Sequence, residues 1–178
     1  MKTFNVPASL HEVFGEKQTW LEVIVTMVFS IMGTGLIYGF LYEQPESINL
    51  AALIIGFLLL WDVLAGCIAN FTQGTNDYYA KRPTARWVFI AIHFHIIVIA
   101  WLLQGPMMAS MIVWVFTIFS AILVNVLAGN RFQLFIAANL VCLGILLIIL
   151  LAVPMWFMAV SIFFLIKVVF SFAVNHYA

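Results

Sequence analysis

The amino-acid sequence predicts an all-α fold, a bundle of about six transmembrane helices preceded by a short helix at the membrane interface. Hydrophobic residues make up 66% of the 178 residues and charged residues only 8%. The mean hydropathy is +1.16. A water-soluble domain of this size could not cover so much apolar surface with so few charges. Six apolar runs also have the length of ~20 residues that crosses the hydrocarbon core of a bilayer. We therefore expect a single transmembrane domain over residues 1–178.

The N-terminal region contains two patterns typical of helix starts. Ser9 and Glu12, and again Thr19 and Glu22, have the spacing of a capping box, in which a hydroxyl and a carboxylate bond the free backbone N–H groups. We predict a short helix over residues 10–17 that lies in the membrane interface, followed by the first span from residue 20.

Turn-forming residues separate the six apolar runs from one another. Proline and glycine mark most of the boundaries, as in Gly105-Pro106 between the third and fourth runs and Pro154 before the sixth. The longest polar connection, residues 72–85, follows the second run. We predict spans at about 20–42, 50–71, 86–104, 107–128, 132–152 and 155–175.

Basic residues lie on one side of this six-span arrangement. Six of the seven fall in the N-terminal tail, the second connection or the fourth connection, whereas the opposite loops carry only Glu43 and Glu46. The positive-inside rule then predicts a multi-pass protein with the N-terminus, the loop 72–85 and the C-terminus in the cytoplasm. The six residues are Lys2, Lys17, Lys81, Arg82, Arg86 and Arg131.

Two charged residues lie well inside the predicted spans, Asp62 in the second and Lys167 in the sixth. Each costs at least ~2.5–3.5 kcal/mol on insertion scales, so each is a functional candidate. Asp62 comes eight residues before Asn70, and Lys167 eight before Asn175, which places both ~12 Å above the cytoplasmic end of their helix. Equal depth and opposite charge predict a buried ion pair. The structural alternative is a pair that only fixes helix register.

Further polar residues line the cytoplasmic half of the predicted bundle, whereas the outer half is almost entirely apolar. His93 lies seven residues after Arg86 and on the same face of the predicted helix. His95 lies roughly 200° round an ideal helix from His93, so the two histidines should not face one point. We therefore predict no metal ligands and a polar cavity that opens inward. The expected ligand-binding residues are Asp62, Asn70, Asn76, Asp77, Tyr79, Arg82, Arg86, His93, Asn139 and Lys167.

Several standard chemistries have no support in the sequence. It contains no His-Glu-x-x-His, Gly-x-Ser-x-Gly, phosphate-binding loop or Cys-x-x-Cys. Cys67 and Cys142 lie in apolar runs, where small buried hydrophobic residues are expected rather than a disulfide. The net charge of zero gives no reason to expect a nucleic-acid partner. The cofactor and the reaction, if there is one, stay undetermined.

Three functions remain open. The favoured one is the binding or transport of a small solute, coupled to protonation of Asp62 or His93, with a homodimer expected because six spans are few for a transporter. The second is a membrane-embedded enzyme for a lipid or isoprenoid, with His93 as acid or base oriented by Asp62 and Lys81, Arg82 or Arg86 holding an anionic head group. The third is an accessory subunit that docks a partner membrane protein.

Overall fold

The computed structural model describes residues 2–177 and shows an all-α polytopic membrane bundle. Six helical segments in this part of the chain are long and apolar enough to cross a membrane, and each of their ends lies within three residues of the predicted boundary. The spans, numbered one to six, are Trp20–Leu41, Leu50–Ala69, Pro83–Leu102, Met107–Val126, Gln133–Leu150 and Met155–Phe172.

The helices and strands follow the chain in a simple order. Two spans change helix type near their ends: span one is α2 (Trp20–Leu36) continued by a π-helix (Ile37–Leu41), and span six is α9 (Met155–Leu165) continued by a π-helix (Ile166–Phe172). Span three consists of two helices, α5 and α6. The other elements are β1 (Thr3–Asn5), α1 (His11–Phe14), β2 (Lys17–Thr19), α3 (Leu50–Ala69), α4 (Gln73–Ala80), α5 (Pro83–Ile92), α6 (His95–Leu102), α7 (Met107–Val126) and α8 (Gln133–Leu150).

The N-terminal segment forms a small antiparallel hairpin that the sequence did not predict. β1 pairs with β2, with Phe4 opposite Gln18. The predicted helix over 10–17 is too long, because α1 ends at Phe14 and is followed by Gly15, whose φ of +69° is left-handed. No side chain within the described residues caps α1, so the box expected at Ser9 does not form. The box at Thr19 and Glu22 does form and starts span one.

The hairpin and α1 pack on α4 at one end of the bundle. Gln18 Nε2 donates to Thr72 Oγ1 over 2.6 Å, and Thr75 Oγ1 donates to the Val13 carbonyl over 3.1 Å. The Tyr79 hydroxyl donates to the Glu12 carbonyl over 3.0 Å. Arg86 Nη2 donates to the Ala173 carbonyl and Tyr177 Oη to the Phe71 carbonyl, each over 2.8 Å. Residues 2–19, 70–86 and 173–177 thus lie together, and we call this region the polar end.

One ion pair at the polar end predicts a pH dependence. Glu16 Oε1 lies 2.7 Å from Arg82 Nη2, and this hydrogen bond lowers the pKa of Glu16 below its usual value of 4.5. A lowered pKa means that the contact stabilises the N-terminal segment above pH 4.5 and that this stabilisation is lost as the pH falls through the lower folded-state value. We expect limited proteolysis of residues 2–19 to accelerate below about pH 4.5 in the wild type.

The Arg82→Gln variant is the control for this experiment. It lacks the ion pair at every pH, so its cleavage rate should change less between pH 6 and pH 4 than that of the wild type. An equal acceleration in both proteins would show that another group controls the opening of the segment.

Span six occupies the centre of the bundle. In its apolar stretch 61% is buried inside the bundle, against 17% in the apolar stretch of span one. Phe157, Phe164, Leu165 and Val168 are fully buried. The other spans surround it and turn large apolar side chains outward, where lipid covers them. A charged side chain on span six is therefore surrounded by protein rather than by lipid.

Two spans depart from regular α-helix near the level of the charged residues. Span three is interrupted at His93 and Phe94, where the ψ of His93 is 69°, and the freed His93 carbonyl accepts a hydrogen bond from Trp114 Nε1 over 3.0 Å. Span six is π-helical from Ile166 onward. The prediction of one continuous helix over 86–104 is therefore wrong at His93, and such irregular segments are frequent at functional sites in membrane proteins.

Candidate functional site

The predicted ion pair between spans two and six is present. Lys167 Nζ donates to Asp62 Oδ2 over 2.8 Å and also to the Asp62 carbonyl oxygen over 3.3 Å. The two residues differ in exposure, since Lys167 is 3% exposed whereas 49% of the Asp62 side chain is exposed. The ammonium is enclosed by the bundle, and the carboxylate lies at its membrane-facing edge.

Gly66 makes room for the lysine side chain. A Cβ atom at position 66 would collide with Lys167 Cε and would lie 2.8 Å from Lys167 Nζ. These atoms belong to the end of a flexible side chain, which can move away from the collision more easily than backbone can. The absence of a side chain at Gly66 therefore sets the path by which Lys167 reaches Asp62.

We expect Gly66→Ala to disturb the ion pair while the helices stay folded. Because the alanine methyl displaces Lys167 Nζ, the variant should lose about 1–3 kcal/mol, the usual cost of overpacking, and its far-UV circular dichroism should not change. The measurement is thermal unfolding in detergent. Gly39→Ala is the matched control, since no atom of residues 2–177 lies within 4 Å of a Cβ at that position. Equal stability of both variants would contradict the proposed path of Lys167.

His95 is the third member of the cluster. Its Nε2 lies 4.0 Å from Asp62 Oδ2, the oxygen that Lys167 also contacts. His95 Nδ1 is buried and has no hydrogen-bond partner within residues 2–177. The sequence favoured His93 over His95 because the two should face apart on one helix. The break in span three removes that restriction and brings the two ring centroids to 5.0 Å.

His93 lies deeper in the bundle and has its own partners. Its Nδ1 donates to the carbonyl of Phe89, and its ring stacks on Phe89 at a centroid distance of 3.8 Å. Phe89 in turn stacks on Phe172 of span six. Asp62 makes no hydrogen bond to His93 among the described residues, so the predicted pair of a histidine base oriented by Asp62 is not formed by His93.

The cluster of Asp62, Lys167 and His95 leaves one carboxylate oxygen available. Lys167 and His95 both approach Oδ2, whereas no group within residues 2–177 hydrogen-bonds Oδ1. A half-exposed carboxylate oxygen at a membrane-spanning helix is costly unless water, a ligand or a partner supplies a donor. The cluster can therefore accept a hydrogen bond from a molecule that reaches it from the side of the bundle.

A second polar group is centred on Arg86 at the polar end. Arg86 Nε donates to Asn125 Oδ1 and Nη2 to the Ala173 carbonyl, each over 2.8 Å. Gln133 Nε2 also donates to Ala173, over 3.0 Å. The C-terminal ends of spans four and six carry partial negative charge, which stabilises a guanidinium placed between them. Arg86 thus joins three spans, and two of its three guanidinium nitrogens donate to groups of the protein.

The inward-opening polar cavity predicted from the sequence is closed in this structure. The N-terminal segment and α4 cover the polar end, and the void beneath them has no space for a water molecule. Asn70 Nδ2 and Asn76 Oδ1 are buried there without a hydrogen-bond partner among residues 2–177. The void is lined by Asn70, Thr75, Asn76, Tyr79, Arg86 and Phe172.

The ten predicted site residues therefore fall into separate places. Asp62 and Lys167 form the cluster, and His93 lies next to it. Asn139 is exposed on span five, where its amide donates to the Phe135 carbonyl of its own helix over 2.7 Å. It therefore contacts its own helix and does not face the cluster. Those at the polar end are Asn70, Asn76, Asp77, Tyr79, Arg82 and Arg86.

Sequence reasoning missed two glutamines and misjudged a cysteine. Gln133 bridges Val124 and Ala173, and Gln18 holds the hairpin on the bundle. Gln18 lies two residues before span one and Gln133 is the first residue of span five, positions at which a glutamine is usually an ordinary helix-end residue. Cys67 is buried as predicted, but Cys142 is exposed on the bundle surface, and neither forms a disulfide.

No group of three or more histidine, cysteine, aspartate or glutamate side chains within residues 2–177 is placed to hold a metal ion. Comparison of the chain with protein-family models, with curated proteins and with solved structures gives no match.

Proposed function

We propose that this membrane protein binds a small hydrogen-bonding solute at Asp62, Lys167 and His95 and transports it together with a proton. The observation that supports this most directly is the free Asp62 Oδ1 beside an interrupted span three and a π-helical span six. Interrupted helices that carry ionisable groups inside the membrane form the binding sites of many transporters. Asp62 contacts the solute in this proposal, and Lys167 positions the carboxylate.

His95 supplies the proton coupling. Histidine is the side chain whose charge changes near neutral pH. Lys167 Nζ, at 2.8 Å, and His95 Nε2, at 4.0 Å, both point at Asp62 Oδ2. A protonated His95 competes with Lys167 for this oxygen, whereas a neutral His95 leaves the carboxylate with the lysine. Protonation thus redistributes the hydrogen bonds of Asp62 and changes what Oδ1 offers to a solute.

The polar end faces the cytoplasm in this proposal. Residues 2–19 and 173–177 both lie at that end of the bundle, where Gln18 Nε2 donates to Thr72 Oγ1 and Tyr177 Oη donates to the Phe71 carbonyl. The basic residues of the loop between spans two and three lie there too, which the positive-inside rule favours for the cytoplasmic side. The N-terminal segment then closes the cytoplasmic access, and its opening exposes the interior.

The test uses purified protein in proteoliposomes that contain a pH-sensitive dye. A panel of amines, amino acids, polyols and carboxylic acids is added outside. We expect one class to cause internal pH change in the wild type, to lose this effect in His95→Gln and Asp62→Asn, and to keep it in Asn139→Ala. The same class should raise the unfolding temperature of the wild type. No pH change and no stabilisation by any class would refute the proposal.

A further inference from the structure

A second feature outside the cluster is a groove of about 640 Å³ beside α5 at the polar end. This volume lies within the usual range of small-molecule sites. α1, α4 and α5 form its walls. The groove is lined by Glu12, Tyr79, Lys81, Arg82, Pro83, Thr84, Ala85, Val88, Phe89 and Ile92.

The groove is polar at one end and apolar along the rest. Its charged and hydroxyl groups lie before or at the start of α5, whereas Val88 and Ile92 follow along the helix and are 53% and 51% exposed. Nine residues separate Pro83 from Ile92, which corresponds to ~14 Å of helix. This length reaches about halfway across the ~30 Å hydrocarbon core. The groove therefore has the polarity of an amphiphile standing in one leaflet.

The charges at the polar mouth are of both signs. Arg82 is paired with Glu16, but Lys81 and Glu12 form no ion pair within residues 2–177. No side chain of the described chain caps the start of α5, whose first residue, Pro83, has no N–H. The N–H groups of Thr84 and Ala85 in its first turn are free to donate to an anion. The mouth of the groove therefore complements a head group that carries both a phosphate and an ammonium. The Lys81 ammonium and the start of α5 suit the phosphate, and the Glu12 carboxylate suits the ammonium.

We infer that this groove binds a glycerophospholipid with an ethanolamine head group. Lys81 and the first turn of α5 hold the phosphate, Glu12 accepts from the ethanolamine ammonium, and one acyl chain lies along Val88 and Ile92. A choline head group has no N–H to donate to Glu12, and a glycerol head group has no positive charge for it. This inference does not depend on the proposed transport, since the groove and the cluster share no residue.

The test is native mass spectrometry of the full chain in detergent with phosphatidylethanolamine, phosphatidylcholine and phosphatidylglycerol in equal amounts and with identical acyl chains. We expect the wild type to retain phosphatidylethanolamine most. Glu12→Gln should lower its preference over phosphatidylcholine by about threefold, as for one exposed charge contact, and Lys81→Gln should weaken all three lipids. Val88→Trp, which fills the groove, should reduce retention without altering any charge.

Arg131→Gln is the control, because Arg131 is an exposed basic residue that does not line the groove. Its lipid retention should equal that of the wild type. Equal retention of the three lipids by the wild type would overturn the inference, because it would indicate ordinary surface lipid. A preference for phosphatidylglycerol, or unchanged binding in Lys81→Gln and Val88→Trp, would also overturn it.

Discussion

Asp62→Asn is expected to lower the free energy of unfolding by about 3 kcal/mol, at the lower end of the range for breaking a buried ion pair. The substitution keeps the shape of the side chain but leaves Lys167 charged and enclosed by the bundle. At ~2–4 °C per kcal/mol for a chain of this size, the unfolding temperature should fall by roughly 6–12 °C. Thermal unfolding in detergent, followed by circular dichroism, measures it.

Removing the other partner of the ion pair should have a smaller effect on stability. Lys167→Met leaves Asp62 without its partner, but half of the Asp62 side chain is exposed and can be protonated or solvated. The double variant Asp62→Asn with Lys167→Met should be more stable than Asp62→Asn alone, since no buried charge then remains unpaired. If Asp62→Asn alone is as stable as the wild type, the pair has no structural role and its charge is compensated elsewhere.

Arg86→Met is expected to have an effect of similar size at the polar end. Arg86 makes two charge-assisted hydrogen bonds that tie span three to spans four and six. Each such bond contributes about 1.5–3 kcal/mol, so the loss of both should lower the free energy of unfolding by roughly 3–6 kcal/mol, with Asn125 Oδ1 left unsatisfied. The same thermal unfolding experiment detects it.

Arg82→Met is the matched control for Arg86→Met, four residues earlier in the chain. Its ion pair with Glu16 is 38% and 49% exposed, and such surface pairs contribute about 0–1 kcal/mol. A large difference between the two variants would support the role of Arg86 as a link between spans. Equal effects would show that the hydrogen bonds to Asn125 and Ala173 contribute no more than a surface contact.

The position of the ion pair could be predicted because depth in a membrane is nearly a one-dimensional property. Apolar runs must have the length of the bilayer core, and the distance of a residue from the end of its span gives its depth. Asp62 and Lys167 are 105 residues apart in the chain and still meet. The cost of an unpaired charge inside the membrane makes such a meeting the expected outcome.

The choice between the two histidines could not be predicted from spacing. His93 and His95 would face apart only on an unbroken helix, and span three is broken at His93, where the Trp114 indole of span four donates to the freed carbonyl. That hydrogen bond joins residues 21 positions apart. A helical projection of one span contains no information about a neighbouring span.

The sequence by itself determined the number of spans, their ends within three residues and the ion pair, because these follow from local hydrophobicity and from charge inside a membrane. Only the tertiary structure decided that Arg86 joins spans, that Asn139 faces outward and that the N-terminal hairpin closes the polar end. Those outcomes depend on which face of each helix meets a neighbour, and on contacts such as Gln18 to Thr72, 54 residues apart. Packing between distant segments determines these outcomes, and the sequence of a single span does not determine how it packs.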